Sequence, residues 1–131
     1  MRLWPLAILD QLPRQQLLGQ HRECCALRGK GWGKKHATVD YVFRHPYSFL
    51  FDYHLSVIEE MNNRGYKVAR EWYMLDYRGK SMGYDWTVIY DDRPLDANFF
   101  RIYPEHDAKY LQECIENLAR KGVVIDRRKV A

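Results

Sequence analysis

Apolar residues recur three or four positions apart in three segments of the chain, and each segment begins at a proline and ends at a glycine. These segments cover residues 13–29, 46–65 and 104–122. Proline suits the opening turn of a helix and glycine its C-terminal end, so the pattern predicts three helices.

The first predicted helix has an apolar stripe and an opposite polar face. The stripe consists of Leu17, Leu18, His21, Cys24 and Cys25. At about 100° per residue, Glu23 lies nearly opposite that stripe. Gly19 and Ala26 flank Glu23 on the polar face. Because their side chains are small, another backbone or a ligand could come close to this face.

The region between the last two predicted helices, residues 66–103, is rich in aromatic side chains and turn residues. Residues 86–90 (WTVIY) have the composition of a short strand, but one short run does not make a sheet. We therefore expect an irregular segment that covers the helical core. The predicted fold class is mainly α, a compact bundle of three helices with long aromatic-rich loops, in a single domain over residues 1–131.

Length and composition favour a compact protein. A chain of 131 residues with 47% hydrophobic residues is the size of about one domain and is unlike a disordered chain. It holds no stretch near the ~20 apolar residues that a transmembrane helix needs. Asp10 interrupts the apolar start, so we interpret it as mature sequence rather than a signal peptide. We expect a cytoplasmic location, reduced cysteines and no membrane partner.

The positive charge is concentrated at the start of the chain. Residues 1–40 carry seven basic and three acidic side chains, whereas the remaining 91 residues carry fourteen of each. A local excess of this kind is typical of a surface that meets a polyanion.

The stretch RGKGWGKKH, residues 28–36, lies within this basic region. Backbone amides of glycines together with lysine and arginine suit a surface lined by phosphates, and Trp32 could stack on a base or wedge beside one. The alternative is a solvated loop after a helix C-terminus, where basic residues are favoured in any case.

The sequence offers little for a metal or a cofactor. The five histidines show no HxxxH or HExxH spacing, so we expect no metal site from them with Cys24 or Cys114. We also find no phosphate-binding P-loop and no dinucleotide fingerprint, and we expect no cofactor. Cys24 and Cys25 fall on the apolar stripe, where a buried and unreactive thiol is the rule.

The run LPRQQLLGQHRECCALRGKGWGKKHATVDYVF resembles the pyrimidine-dimer DNA glycosylase family, the endonuclease V type of base-excision enzyme. Arg22 and Glu23 match an Arg-Glu pair in the family's first helix, and Gly29 matches the glycine that follows. Residues 34–36 resemble a basic-basic-His triplet, and residues 1–3 the family's opening segment. The end of the second helix, EEMNNRGY, is similar as well. The family fold is a compact bundle of three helices.

The resemblance implies a glycosylase with abasic-site lyase activity, whose nucleophile is the N-terminal α-amine. Arg2 is too large to permit removal of the initiator methionine, so we expect Met1 to supply that amine and Glu23 to assist it. The substrate would be damaged double-stranded DNA and the protein a monomer. The residues expected to bind DNA are Arg2, Arg14, Gln15, Arg22, Lys30, Trp32, Lys34, Lys35 and His36.

Two alternatives stay open at this point. One is a noncatalytic nucleic-acid-binding module in which Glu23 only forms a salt bridge. The other is an interaction protein that binds a partner through residues 66–103. The lesion is also open: a pyrimidine dimer, another damaged base and a simple abasic site all fit the sequence.

Overall fold

The computed structural model of the protein describes residues 2–35, 37–92 and 101–130. Within these ranges the α-helices are α1 (Arg14–Arg28), α2 (Tyr47–Asn63) and α3 (Ala108–Arg120). Short 3₁₀ helices flank them at Leu6–Gln11, Asp40–Arg44, Arg70–Tyr73 and Arg127–Lys129. The predicted fold class, mainly α with three principal helices, is confirmed.

The helix starts follow from local sequence. Pro13 and Pro46 directly precede α1 and α2, where the missing proline N–H costs nothing. Helix α3 begins later than Pro104, because Asp107 is its cap: the carboxylate accepts a hydrogen bond from the Tyr110 amide at 2.9 Å. A cap of this kind contributes about 1 kcal/mol.

The core lies where α1 packs against α2. Helix α2 contributes the most buried side chains, and its Leu50, Tyr53 and Val57 are fully buried. Helix α3 contributes Cys114, Ile115 and Leu118 to the same cluster. Leu3, from the segment ahead of the first 3₁₀ helix, is also completely buried among these helices. In the described ranges, none of the helices has both the length and the apolar character needed to span a membrane.

The aromatic-rich segment is irregular over its described parts, residues 66–92 and 101–103, apart from the short 3₁₀ helix at Arg70–Tyr73, as expected. The strand alternative for residues 86–90 is wrong: the described ranges hold one isolated bridge, between Tyr77 and Tyr84. Turns at Gly79 (φ 96°) and Gly83 (φ 64°) reverse the chain there, which leaves Trp86 stacked on Tyr84 at 5.7 Å instead of paired along a strand. Phe99 and Phe100 lie outside the described residues.

Candidate active site

The polar face of α1 lines a cavity of about 280 Å³. Gly19 and Glu23 lie one helical turn apart on that face, and both reach the cavity. The other lining residues are Arg2, Trp4, Gln16, Gln20, Thr38, Asn117 and Lys121. Arg2 and Glu23, two of the predicted site residues, are therefore brought to one cavity. Gly19 leaves room there, as the prediction for this face required.

The backbone of residues 2–4 is held beside α1 by the side chain of Gln20, which is only 3% exposed. Its Oε1 accepts the Trp4 amide hydrogen at 2.6 Å, and its Nε2 donates to the Arg2 carbonyl at 3.1 Å. The buried Gln20 amide thus provides hydrogen-bond partners for two backbone groups of a segment that belongs to no helix or strand. This contact keeps the segment in register with the helix that carries Glu23.

The other two helices also bind this segment. The Tyr53 hydroxyl of α2 lies 2.6 Å from the Trp4 carbonyl oxygen and 2.8 Å from Gln20 Oε1. The Tyr110 hydroxyl of α3 donates to the Leu3 carbonyl at 2.8 Å. Side chains from all three helices therefore fix the path of residues 2–4, which we call the N-terminal segment.

Two cations share the cavity with Glu23. The Arg2 guanidinium lies 6.0 Å from the ring centroids of both Trp4 and Tyr110, and Lys121 Nζ lies 5.5 Å from the Trp4 ring. Glu23 is half-buried and is the one carboxylate among the described residues that line the cavity. A positioned carboxylate can transfer a proton or stabilise developing positive charge, while the two cations suit a phosphate.

Apart from Trp32, the remaining predicted residues fall into two groups. Those that are exposed and do not line this cavity are Arg14, Gln15, Arg22, Lys30, Lys34 and Lys35. Met1 and His36 lie outside the described residues. The exposed side chains form a basic surface around α1 and the loop that follows it, and their contact with DNA stays a prediction.

Trp32 packs inward in the structure. Its ring meets Phe43 edge-on at 5.1 Å and Tyr47 at 5.2 Å, and the Arg78 guanidinium lies 5.7 Å from its centroid. The loop after α1 folds back onto the start of α2, and the indole is half-buried against the core. These contacts favour a packing role for Trp32; its predicted contact with DNA is untested.

Arg28 does not belong to the basic surface on which the sequence placed it. It is completely buried, and its hydrogen-bond partners come from distant parts of the chain. They are the Tyr47 hydroxyl, His54 Nδ1 and the carbonyls of Trp72, Met74 and Tyr77. The side chain ties the aromatic segment to α1 and α2, which removes it from contact with phosphates.

His21, Cys25 and His54 converge in the structure, although their sequence spacing gives no metal motif. Arginine can only donate, so Arg28 Nη1 donates to His54 Nδ1 at 2.9 Å. Neutral His54 therefore carries its hydrogen on Nε2 and donates to His21 Nδ1 at 2.8 Å. His54 Nε2 is the atom a metal would need. The hydrogen-bond order thus opposes metal binding, because a metal-bound histidine donates from its other nitrogen.

The pKa shifts of these groups agree with that hydrogen-bond order. Burial, the main cause, and nearby arginines lower the pKa of His54 and of His21. Burial raises the pKa of Cys25 to about 11, so this thiol is protonated at neutral pH and is a poor nucleophile. All three cysteines are unpaired.

Apart from Arg2, Gly19 and Glu23, the cavity residues were not predicted to form the site: Trp4, Gln16, Gln20, Thr38, Asn117 and Lys121. Gln20 could not be predicted because its importance depends on partners 16 and 18 residues away. Lys121 is the C-cap of α3, where basic residues are favoured in any case. Its place beside Glu23 follows from how α3 docks, which periodicity does not reveal.

Comparison with family models identifies a match over the first part of the chain. The family model described as pyrimidine dimer DNA glycosylase matches residues 1–74, more than half of the chain. The matched range includes Arg2, Gln20 and Glu23, whereas Asn117 and Lys121 lie beyond it. Searches of curated proteins and of solved structures return no significant match.

Proposed function

The chain belongs to the pyrimidine dimer DNA glycosylase family, and we propose that it acts in DNA repair as a glycosylase that also cleaves the strand at the abasic site. The observation that carries this proposal is the meeting of Glu23 and Arg2 in one cavity, with the N-terminal segment held there by Gln20. The substrate is double-stranded DNA with a damaged nucleotide, and a monomer is sufficient for the chemistry.

The nucleophile in this proposal is the α-amine of Met1. An α-amine has an ordinary pKa of about 7.7–8.0, against about 10.4 for lysine, so a useful fraction is neutral near pH 7. Its lone pair attacks C1′ of the damaged nucleotide, and the glycosidic bond pair leaves with the base, which takes up a proton. Opening of the sugar ring then gives an imine between the amine and C1′.

Strand cleavage follows from the imine. The positive charge at C1′ acidifies the C2′ hydrogen, and removal of that proton expels the 3′ phosphate by β-elimination. Glu23 is the group that we assign to this step and to the proton transfers that form the imine. Its carboxylate also stabilises the cationic imine, because opposite charges in a half-buried site attract more strongly than in water.

The basic residues of the first third of the chain hold the DNA in this proposal. Arg22, Lys34 and Lys35 are exposed cations, so they suit backbone phosphates. Within the cavity, Arg2 and Lys121 both place positive charge near the ring of Trp4. Binding of this kind should weaken steeply with salt.

Borohydride trapping tests the proposal. Untagged protein is incubated with duplex DNA that holds an abasic site or a pyrimidine dimer, and the imine is reduced to a stable adduct. Mass spectrometry establishes whether Met1 is retained and carries the adduct. Glu23→Gln should retain DNA binding but lose strand cleavage, whereas Glu59→Gln, an exposed carboxylate on α2, should behave as wild type.

The alternative outcome is informative as well. A noncatalytic DNA-binding module would bind in a salt-dependent way and give no adduct on any of these substrates. An adduct that survives acetylation of the N-terminus would rule out the Met1 amine. Equal cleavage by Glu23→Gln and wild type would remove Glu23 from the mechanism.

A further inference from the structure

A second cavity, of about 350 Å³, lies at the C-terminal end of α1. One wall is the end of α1 with the loop of residues 29–31, and the opposite wall is the turn of residues 78–81. Cys25 belongs to the α1 wall, and Trp72 also lines the cavity. The lining shares no described residue with the Glu23 cavity, so the two are separate sites.

The two walls fit each other closely. A Cβ atom added to Gly29 would lie 2.9 Å from the Arg78 carbonyl oxygen, and one added to Gly31 would lie 2.7 Å from the Ala26 carbonyl oxygen. Arg78 Nε also donates to the Arg28 carbonyl at 2.6 Å. The glycines of this loop are therefore explained by backbone packing, which builds the cavity before any ligand arrives.

The cavity is strongly positive. Lys30 and Lys80 are exposed on opposite walls, and Arg78 is 7% exposed between them. Arg28 adds a buried charge behind Trp72, with its guanidinium 5.0 Å from that ring. Asp85 offsets one charge through its 3.1 Å bond to Arg78, but no acidic side chain is among the described lining residues. The net positive charge of the lining favours binding of an anion.

The donors of the cavity are those that bind a phosphate. Lys30 and Lys80 contribute ammonium groups and Ser81 a hydroxyl group, all from exposed residues. The buried Arg78 guanidinium lies against the Tyr47 and Trp32 rings, at 4.4 and 5.7 Å, so it adds charge behind the cavity and is not a direct donor. A tetrahedral phosphate with several oxygens can accept from donors on both walls at once. The apolar ring of Trp72 beside them suits the sugar that adjoins a phosphodiester.

We propose that this cavity binds a backbone phosphate of the same DNA whose damaged nucleotide enters the Glu23 cavity. This role rests on the proposed function, since it extends the DNA contact along the basic side of α1. Residues 78–81 lie beyond the range that the family model matches. The turn of residues 78–81 closes this cavity, so phosphate binding would give the aromatic segment a function.

The test is the salt dependence of DNA binding by Lys30→Gln/Lys80→Gln. Both lysines are exposed, so the fold should be retained, and circular dichroism checks this. Each lost phosphate contact reduces the slope of log Kd against log salt by about 0.9. The matched control is Lys67→Gln/Lys109→Gln, which removes the same charge from exposed positions outside both cavities.

The expected result is a slope reduced by about 0.9 or more in the cavity variant and by less than half as much in the control. Equal slopes in the two variants would overturn the proposal. A second result would also overturn it: inorganic phosphate raises the Tm more than chloride does at equal ionic strength, and this rise depends on the two lysines while the salt slope of DNA binding does not. The cavity would then hold free phosphate. A reduced slope without any borohydride adduct would retain this contact and refute the glycosylase mechanism alone.

Discussion

Gln20 binds the backbone of Trp4 through a hydrogen bond of 2.6 Å, and the same amide donates to the Arg2 carbonyl at 3.1 Å. Gln20 lies one turn before Glu23 on α1. One helix thus carries both the proposed catalytic carboxylate and the side chain that places the N-terminal segment next to it. In the proposed mechanism, the distance between nucleophile and carboxylate therefore depends on α1, supported by the Tyr53 and Tyr110 contacts to the same segment.

Replacing Gln20 with methionine should separate placement of the segment from DNA binding. Methionine fills the space but removes the contacts to the Arg2 carbonyl and the Trp4 amide. Because a displacement of about 1 Å at a reacting group can cost about a hundredfold in rate, we expect adduct formation to slow by about ten- to a hundredfold. Single-turnover borohydride trapping at saturating DNA measures this rate, and the Kd for DNA should change little.

Ser48→Ala is the matched control for Gln20→Met. It also removes hydrogen bonds of a buried side chain, in this case those between the Ser48 hydroxyl and the Asp91 backbone, which lies outside the N-terminal segment. Its adduct rate should equal that of wild type even where its loss of stability is similar. If the two variants slow the reaction equally at temperatures well below their Tm values, Gln20 has only a structural role.

Arg28 is expected to be among the most important residues for stability. Replacing it with methionine leaves carbonyl groups of the aromatic segment and His54 Nδ1 without their donor. Each buried polar group left without its donor costs about 1–3 kcal/mol, so losing several is a large fraction of a total stability of about 5–15 kcal/mol. Urea unfolding followed by circular dichroism measures the loss. Arg70→Met, at an exposed position, should change stability by less than about 0.5 kcal/mol.

The contrast between Arg28 and the helix boundaries shows how far the sequence could predict this fold. Helix ends depend on residues within one turn, so Pro13 and Pro46 located two of them well. The start of α3 was placed too early because the Asp107 cap was not recognised. Burial of Arg28 depends on carbonyls 44 to 49 residues away, and no local pattern carries that information.

The residues of the candidate site also differ in how far the sequence could predict them. The place of Glu23 on the polar face could be predicted because helix periodicity is a local property, while its candidate role came from the family resemblance; its small neighbour Gly19 does line the cavity. Lys121 and Asn117 reach the same cavity from α3, and their position depends on how the helices dock. Trp32 was predicted from composition as a DNA contact, but the chain places its ring against Phe43 and Tyr47.

His106 should make the protein lose stability in mild acid. Burial lowers the pKa of this histidine to about 4, with Arg101 adding to the effect and Asp107 opposing it. Its Nε2 bonds the Tyr41 hydroxyl, and its buried Nδ1 has no partner within the described residues, so a second proton would be poorly accommodated. The unfolded chain, with an ordinary histidine pKa of about 6.5, takes up that proton more readily.

The sign of the pH dependence follows from this difference. The unfolded state binds more protons as the pH falls below about 6.5, so stability is present above that pH and is lost on the way down to about 4. The contribution of His106 should fall by about 2 kcal/mol between pH 7.5 and pH 5. Urea unfolding of wild type and His106→Gln across this range measures it, and the variant should show the smaller loss. The difference between the two proteins should stay constant from pH 7.5 to 8.5, where the histidine is neutral in both states; identical acid-side losses would mean that His106 is protonated equally in the folded and unfolded chains.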